Sequence, residues 1–325
     1  MKELFGVPQI VAEERERTLK TTKPGKKPGF NWAIIFIMTV LVFFFVKLVA
    51  EMPQLVLIIA KGIAKNKPDM LPFNPDSEGV LIAFRIITRV CLVLVTIAFV
   101  FYARIMEGRK ARSLGFIKEH AVTDYLIGLA AGFGIFSLAV LICKLTGSIN
   151  IAFNENPNYL AVALFAIGWF FQGMEEEVVC RGYMMTALAR RYSLPVGVLI
   201  NSLFFSSIHI INNNVTVLAM FNIFLFGVFA SLIFIKTGSI WMCSAIHTIW
   251  NYVQGNLYGI KVSGNDAMPS VLGVSFVSGK ELINGGAFGL EGGLGVTIVL
   301  LIGCVIVYFI PTRKAKAEVE VVNAA

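Results

Sequence analysis

Three adjacent carboxylates, Glu175, Glu176 and Glu177, lie within the otherwise apolar stretch 159–188, and Arg181 follows them. An ionised side chain at bilayer depth costs about 2.5–3.5 kcal/mol, so such groups must face protein or water and form pairs. On a helix Glu177 and Arg181 share a face, whereas Glu176 lies about 100° away. The spacing predicts one carboxylate held in an ion pair and a neighbour free for chemistry. The alternative without a catalytic role is an ion-paired helix end at the membrane surface.

Two histidines and an asparagine lie in other apolar segments, at depths that agree within about two helical turns. At 1.5 Å rise per residue, Glu176 and His209 lie about 21 Å, Asn251 about 18 Å and His247 about 12 Å from the predicted cytoplasmic helix ends. His247 and Asn251 are four residues apart, as are Phe205 and His209, so each pair shares one helix face. This arrangement predicts a buried polar site where separate helices meet.

A carboxylate, two imidazoles and an amide suit hydrolysis. The carboxylate can take a proton from water, the imidazoles can position that water or protonate the leaving amine, and the amide can stabilise an oxyanion. Two histidines and a glutamate could equally hold zinc with one position open. Because His209 and His247 lie on separate segments and neither belongs to an H-E-x-x-H motif, metal-free hydrolysis is slightly favoured, zinc remains possible and no metal ligand is assigned.

The composition indicates a polytopic membrane protein. Hydrophobic residues make up 57% of the 325 residues, and the mean hydropathy is +0.76. The chain therefore has more apolar surface than the core of a soluble protein could bury. The net charge of +8 comes from basic residues in short segments beside apolar runs, where they set membrane orientation, so nucleic-acid binding is not expected. The five cysteines lie in apolar stretches without paired spacing and predict no disulfide framework.

We predict an all-α fold of about eight transmembrane helices with a buried polar site. The spans are about 32–49, 80–102, 125–145, 159–190, 195–211, 215–235, 239–254 and 296–310. Basic residues beside the alternate loops place both termini in the cytoplasm of a cell-membrane protein. Arg85 and Arg89 in the second span are interpreted as snorkelling towards the outer surface.

The predicted organisation follows these spans. The segments are a cytoplasmic polar tail (1–29), N-terminal transmembrane helices (30–122), a catalytic core (123–255), a glycine-rich external loop (256–295) and a last transmembrane helix with a basic tail (296–325). The glycine-rich loop is built for tight turns. It is interpreted equally well as a lid over the site or as a plain external linker.

The sequence resembles the CPBP intramembrane proteases, which include the type II CAAX prenyl endopeptidases and bacterial relatives tied to bacteriocin processing or self-immunity. The resemblance covers about 159–251. The motifs that carry it are Glu176-Glu177-x-x-x-Arg181, Phe205-x-x-x-His209 and His247-x-x-x-Asn251, in this order on three predicted spans. It implies that Glu176 activates water and that His209 and His247 help to hold it. It also implies an oxyanion contact from Asn251 and support from the Glu177–Arg181 pair.

The leading hypothesis is an intramembrane endopeptidase that uses Glu-activated water on a membrane-anchored or lipidated peptide, with the bilayer as its other partner. The resemblance does not assign a physiological substrate. A non-catalytic bacteriocin-immunity or membrane scaffold protein of the same fold is the first alternative. A transporter with the acidic cluster as a proton relay is less favoured, because the two halves have no detectable repeat.

The predicted topology can be tested by cysteine labelling in intact cells. It places 147–158, 212–214 and 256–295 outside, so a cysteine at Asn154 should react with an impermeant reagent and one at Lys110 should not. Protection at Asn154 together with reaction at Lys110 would show that the orientation is inverted.

Overall fold

The computed structural model describes residues 12, 16, 31–265 and 268–313, and most of these residues are helical. Apart from residues 12 and 16, the predicted tail 1–29 lies outside this range, as does most of the C-terminal basic tail. The longer helices are α1 (Trp32–Ala50), α2 (Met52–Asn66), α3 (Glu78–Cys91), α4 (Val93–Glu107), α5 (Ala121–Leu145), α6 (Tyr159–Glu177), α7 (Thr186–Arg191), α8 (Leu194–Ser207), α9 (Val217–Thr237), α10 (Ile240–Tyr252) and, after the short α11 (Glu281–Asn284), α12 (Leu294–Phe309).

Several of these helices have the length and apolarity needed to cross a bilayer. Within the described residues, four stretches meet both conditions: Trp32–Ala50, Glu78–Glu107, Ala121–Leu145 and Val217–Thr237. The apolar α8 and α12 are shorter. These findings confirm a mostly helical fold with helices able to cross a bilayer, while the figure of eight spans stays a prediction. The α2 helix contains a short apolar run, residues 55–60, and continues beyond it through a stretch that includes charged residues.

A small sheet corrects the all-α prediction. Strand β1 (Ile149–Phe153) pairs antiparallel with β2 (Leu272–Phe276), with Ile149 opposite Phe276 and Phe153 opposite Leu272. The two strands are far apart in the sequence, so no hairpin turn between them could predict their pairing. The sheet joins the loop after α5 to the glycine-rich segment. It therefore gives this predicted loop fixed structure.

Helix α10 packs closely against α5 and α6. A side-chain carbon at Gly132 on α5 would lie 2.4 Å from Ile249 Cγ2, and one at Gly173 on α6 would lie 2.6 Å from Thr248 Oγ1. Such distances are shorter than van der Waals contact, so only glycine allows this approach. The close packing fixes how far α6 is shifted along its axis relative to α10. Helix α6 carries the acidic cluster, and α10 carries His247.

A buried polar cluster fixes the helical segment that follows the glutamates. Glu107, at the end of α4, accepts hydrogen bonds from Arg190 and from the Tyr183 hydroxyl, the latter at 2.8 Å. Arg109 Nη2 donates to Thr186 Oγ1 at 2.5 Å. The sequence places Arg109 in a basic cytoplasmic loop, but its side chain is only 1% exposed. Its fork of donors satisfies buried acceptors that water cannot reach.

Candidate active site

The acidic cluster lies where α6 passes into a π-helix. Helix α6 ends at Glu177, the π-helix spans Val178–Met185, and α7 continues the same helical path. π-helical turns inside α-helices occur frequently at functional sites. The three glutamates are almost fully buried, with exposed fractions of 0%, 4% and 0% for Glu175, Glu176 and Glu177. Each carboxylate therefore needs polar partners.

Glu177 lies in the ion pair that the spacing predicts. Arg181 Nη1 donates to Glu177 Oε1 at 2.8 Å. The same oxygen accepts a hydrogen bond from His247 Nδ1 at 2.9 Å. The Arg181 guanidinium also lies over the Phe205 ring, 4.6 Å from its centroid. Glu177 is therefore held on both sides, by a cation of its own helical segment and by an imidazole of α10.

Glu176 borders a cavity between the helices. Its Oε1 lies 3.4 Å from Gln172 Nε2, and its Oε2 lies 3.7 Å from His247 Nε2. The second distance exceeds that of a direct hydrogen bond. The Glu176 carboxylate is thus held more loosely than that of Glu177, and it faces open space.

Glu175 faces a third direction, towards α1. Its Oε1 lies 3.9 Å from Lys47 Nζ, and its side chain is completely buried. The residues that border the cavity include Lys47 and Glu176 but not Glu175. Of these two carboxylates, only Glu176 borders the cavity, so only Glu176 is placed to act as a base there.

His247 and Asn251 lie one turn apart on α10, and both border the cavity. Their exposed fractions are 5% and 4%. Because Nδ1 of His247 donates to Glu177, the opposite ring edge faces Glu176. The rings of Phe205 and Phe226 pack on this imidazole at centroid distances of 5.9 and 5.1 Å. These contacts fix the ring from two sides.

His209 lies outside the helix in which the sequence places it. Helix α8 ends at Ser207, so the predicted helical stripe ends at Phe205 and His209 belongs to the following turn. Carbonyls in the last turn of a helix lack backbone donors. His209 Nδ1 donates to one of them, the Phe205 carbonyl, at 2.7 Å. This bond turns the imidazole towards the cavity, which it borders.

The cavity has a volume of about 590 Å³ and brings together four of the six predicted site residues: Glu176, His209, His247 and Asn251. These residues come from α6, from the turn after α8 and from α10. The Glu177–Arg181 pair lies behind the cavity wall and supports His247. A cavity lined by a carboxylate, two imidazoles and an amide is chemically suited to a hydrolytic reaction.

Other residues that border the cavity are absent from the predicted site. The snorkelling interpretation is wrong for Arg89, whose guanidinium lies 4.4 Å from the Trp169 ring centroid and 5.4 Å from that of Phe165. Lys47 on α1 is a second such residue. Both are charged groups within apolar helices, a signal that marks functional candidates. A third, Glu291, carries no such signal, because it lies in the glycine-rich segment.

The donor set of the cavity does not form a metal-binding group in this arrangement. Within the ranges that the structure describes, no three His, Cys, Asp or Glu side chains are placed to hold one ion. The Nδ1 atoms of His209 and His247 are already engaged with oxygen acceptors. Only the Nε2 atoms remain for another partner.

One family model matches the part of the chain that carries most of these site residues. Residues 158–253 match the family described as type II CAAX prenyl endopeptidase Rce1-like. The match confirms the resemblance to the CPBP family over these residues. In general terms it supports a CAAX protease-like intramembrane endopeptidase, and together with the apolar helices it supports a membrane location. No curated protein and no solved structure matches the chain.

The ion pair should matter more for stability than the cavity carboxylate. We expect Glu177→Gln and Arg181→Ala to lower the free energy of unfolding by about 3–5 kcal/mol, because each leaves a buried charge without its partner. Glu176→Gln is the matched control and should accumulate and melt like the wild type. Thermal denaturation in detergent and folded yield measure both effects. Equal destabilisation by all three changes would contradict this division.

Proposed function

We propose that the protein is an intramembrane endopeptidase in which Glu176 activates water to hydrolyse a peptide bond of a membrane-anchored or lipidated substrate. The observation that carries the proposal is the convergence of Glu176, His209, His247 and Asn251 on one cavity. Separate segments of the chain supply these groups, and a binding protein has no need of the complete set. The family match over 158–253 supports the same class of reaction.

The nucleophile in this proposal is a substrate water bound between Glu176 and His247. The separation of 3.7 Å between Glu176 Oε2 and His247 Nε2 suits two acceptors that share one water. When Nδ1 of His247 carries the proton donated to Glu177, Nε2 is an acceptor. A water that donates one hydrogen bond to each group directs its lone pair into the cavity, towards a substrate carbonyl.

The reaction then follows from proton transfer at Glu176. The carboxylate takes a proton from the water as the oxygen attacks the carbonyl carbon, which gives a tetrahedral intermediate. The Asn251 amide, one turn from His247, donates a hydrogen bond to the resulting oxyanion. The proton held by Glu176 passes to the leaving amine as the C–N bond breaks. His209 contributes its Nε2 edge to holding the water or the substrate.

Glu177 and Arg181 support this chemistry without contacting the substrate. Glu177 fixes the orientation and the tautomer of His247, in the way that a carboxylate orients a catalytic histidine. Arg181 neutralises the buried charge of Glu177.

The finer topology is part of the same proposal: eight spans and two cytoplasmic termini satisfy the positive-inside bias of the short loops.

The test of the proposal is a comparison of the membrane proteomes of wild-type cells and cells that carry Glu176→Gln. Uncleaved membrane-anchored proteins should accumulate only in the variant, because the amide cannot accept the proton of the attacking water. Glu155→Gln changes an exposed glutamate and serves as the control. Peptidase activity at the wild-type level in a well-folded Glu176→Gln protein would exclude Glu176 as the base. Identical proteomes would favour the non-catalytic immunity or scaffold alternative.

A chelator titration distinguishes the metal-free reaction from a zinc-dependent one. We expect the purified active protein to contain no stoichiometric zinc and to keep its activity after prolonged chelation, because the groups bordering the cavity suffice for general-base hydrolysis. Elemental analysis accompanies the titration. Zinc that is lost and restored together with activity would overturn the metal-free mechanism.

A further inference from the structure

The glycine-rich segment (residues 256–295, described except for 266 and 267) returns to the cavity at two places. Val262, Ser263, Asn265 and Met268 border the cavity from the first part of the segment, and Glu291 borders it from the second. Between these places, β2 pairs with β1 and ties the segment to the loop after α5. A plain external linker would not line the cavity that holds the candidate site groups.

Glu291 lies at the centre of the contacts that hold this segment. Its side chain is buried, and its Oε2 accepts hydrogen bonds from the Ser263 backbone N–H at 2.6 Å, the Ser263 hydroxyl at 3.0 Å and Gln254 Nε2 at 3.1 Å. Its Oε1 accepts a hydrogen bond from Trp250 Nε1 at 3.3 Å. All four donors are neutral; three of them converge on Oε2, and one reaches Oε1.

The partners of Glu291 connect it to both sides of the candidate site. Trp250 directly precedes Asn251 on α10, and its ring packs against Phe226 at a centroid distance of 5.3 Å. On the other side, the Ser263 carbonyl accepts a hydrogen bond from Asn212 Nδ2 at 2.9 Å, in the turn that carries His209. One carboxylate thus joins the segment to α10 and to the turn after α8.

The backbone around Ser263 depends on these bonds. Ser263 has a φ of 48°, in the left-handed region that costs a non-glycine residue about 1–2 kcal/mol. The next residue, Gly264, has a φ of 79°, and a side-chain carbon there would lie 2.1 Å from the Asn213 carbonyl oxygen. The two hydrogen bonds from Ser263 to Glu291 offset the backbone cost and keep the segment against the turn.

We infer that Glu291 is a positioning residue of the proposed peptidase site. Its carboxylate holds the glycine-rich segment as a fixed wall of the cavity and, through the Trp250 indole, sets the position of Asn251. The inference rests on the proposed function for its kinetic consequence, whereas the wall itself depends only on the contacts of Glu291. Glutamine at this position would direct an amide N–H₂ at donors and lose acceptors that the wall requires.

The wall is tested by labelling that needs no activity. Ile223 on α9 borders the cavity and is 4% exposed. In the full chain carrying Ile223→Cys, Glu291→Gln should raise the rate of maleimide modification at position 223, followed by mass spectrometry, by about tenfold or more, because a broken wall admits the reagent. Glu281→Gln alters an exposed glutamate of the same segment and should leave the rate unchanged. An unchanged rate in the folded Glu291→Gln protein would overturn the inference.

The link to Asn251 is tested by a double-mutant cycle. Glu291→Gln alone should lower kcat about tenfold with little change in KM, yet it should cost no more than about twofold in an Asn251→Ala background, because residues that act through one another are non-additive. Independent effects would refute the link. If Glu291→Gln does not fold, Trp250→Phe removes the indole donor and keeps the ring, and it should give the same non-additive loss. A wild type without peptidase activity would refute the proposed function, and the labelling experiment would then decide the inference.

Discussion

The burial of three adjacent carboxylates is the constraint on which the site depends. Successive residues of a helix point about 100° apart, so Glu175, Glu176 and Glu177 cannot share one partner. The fold supplies a different neighbour for each: Lys47 of α1, the cavity, and Arg181 with His247. Because a buried charge without a partner costs several kcal/mol, α1 and α10 must dock on opposite sides of α6 for the cluster to persist.

Helix α10 sets the geometry of the other groups. It carries His247 and Asn251 on the face that borders the cavity, and Trp250, between them, reaches Glu291. Its height against α6 is fixed where the backbone of Gly173 approaches Thr248, the residue next to His247. A side chain at Gly173 would separate the two helices and widen the gap between Glu176 and His247. The close packing therefore acts directly on the catalytic geometry that we propose.

The sequence predicts those features of the site that depend on local helix geometry. The Glu177–Arg181 pair follows from four-residue spacing, and so does the shared face of His247 and Asn251 on α10. The position of His209 could not be predicted in this way, because α8 ends before it and the imidazole satisfies a carbonyl of the last turn. The helical class of the fold follows from composition, whereas the small sheet joins strands that carry no shared local signal.

The contributions from outside the matched residues 158–253 have a different physical origin. Lys47, Arg89 and Glu291 reach the cavity only through tertiary packing, so neither spacing nor motif order reveals them. With Arg85 and Glu51, which also border the cavity, they add three cations and two carboxylates to its surface and keep it polar. A polar cavity can hold water, which the proposed glutamate base requires. The matched residues carry the groups to which we assign the reaction, and the flanking helices with the glycine-rich segment complete the polar cavity around those groups.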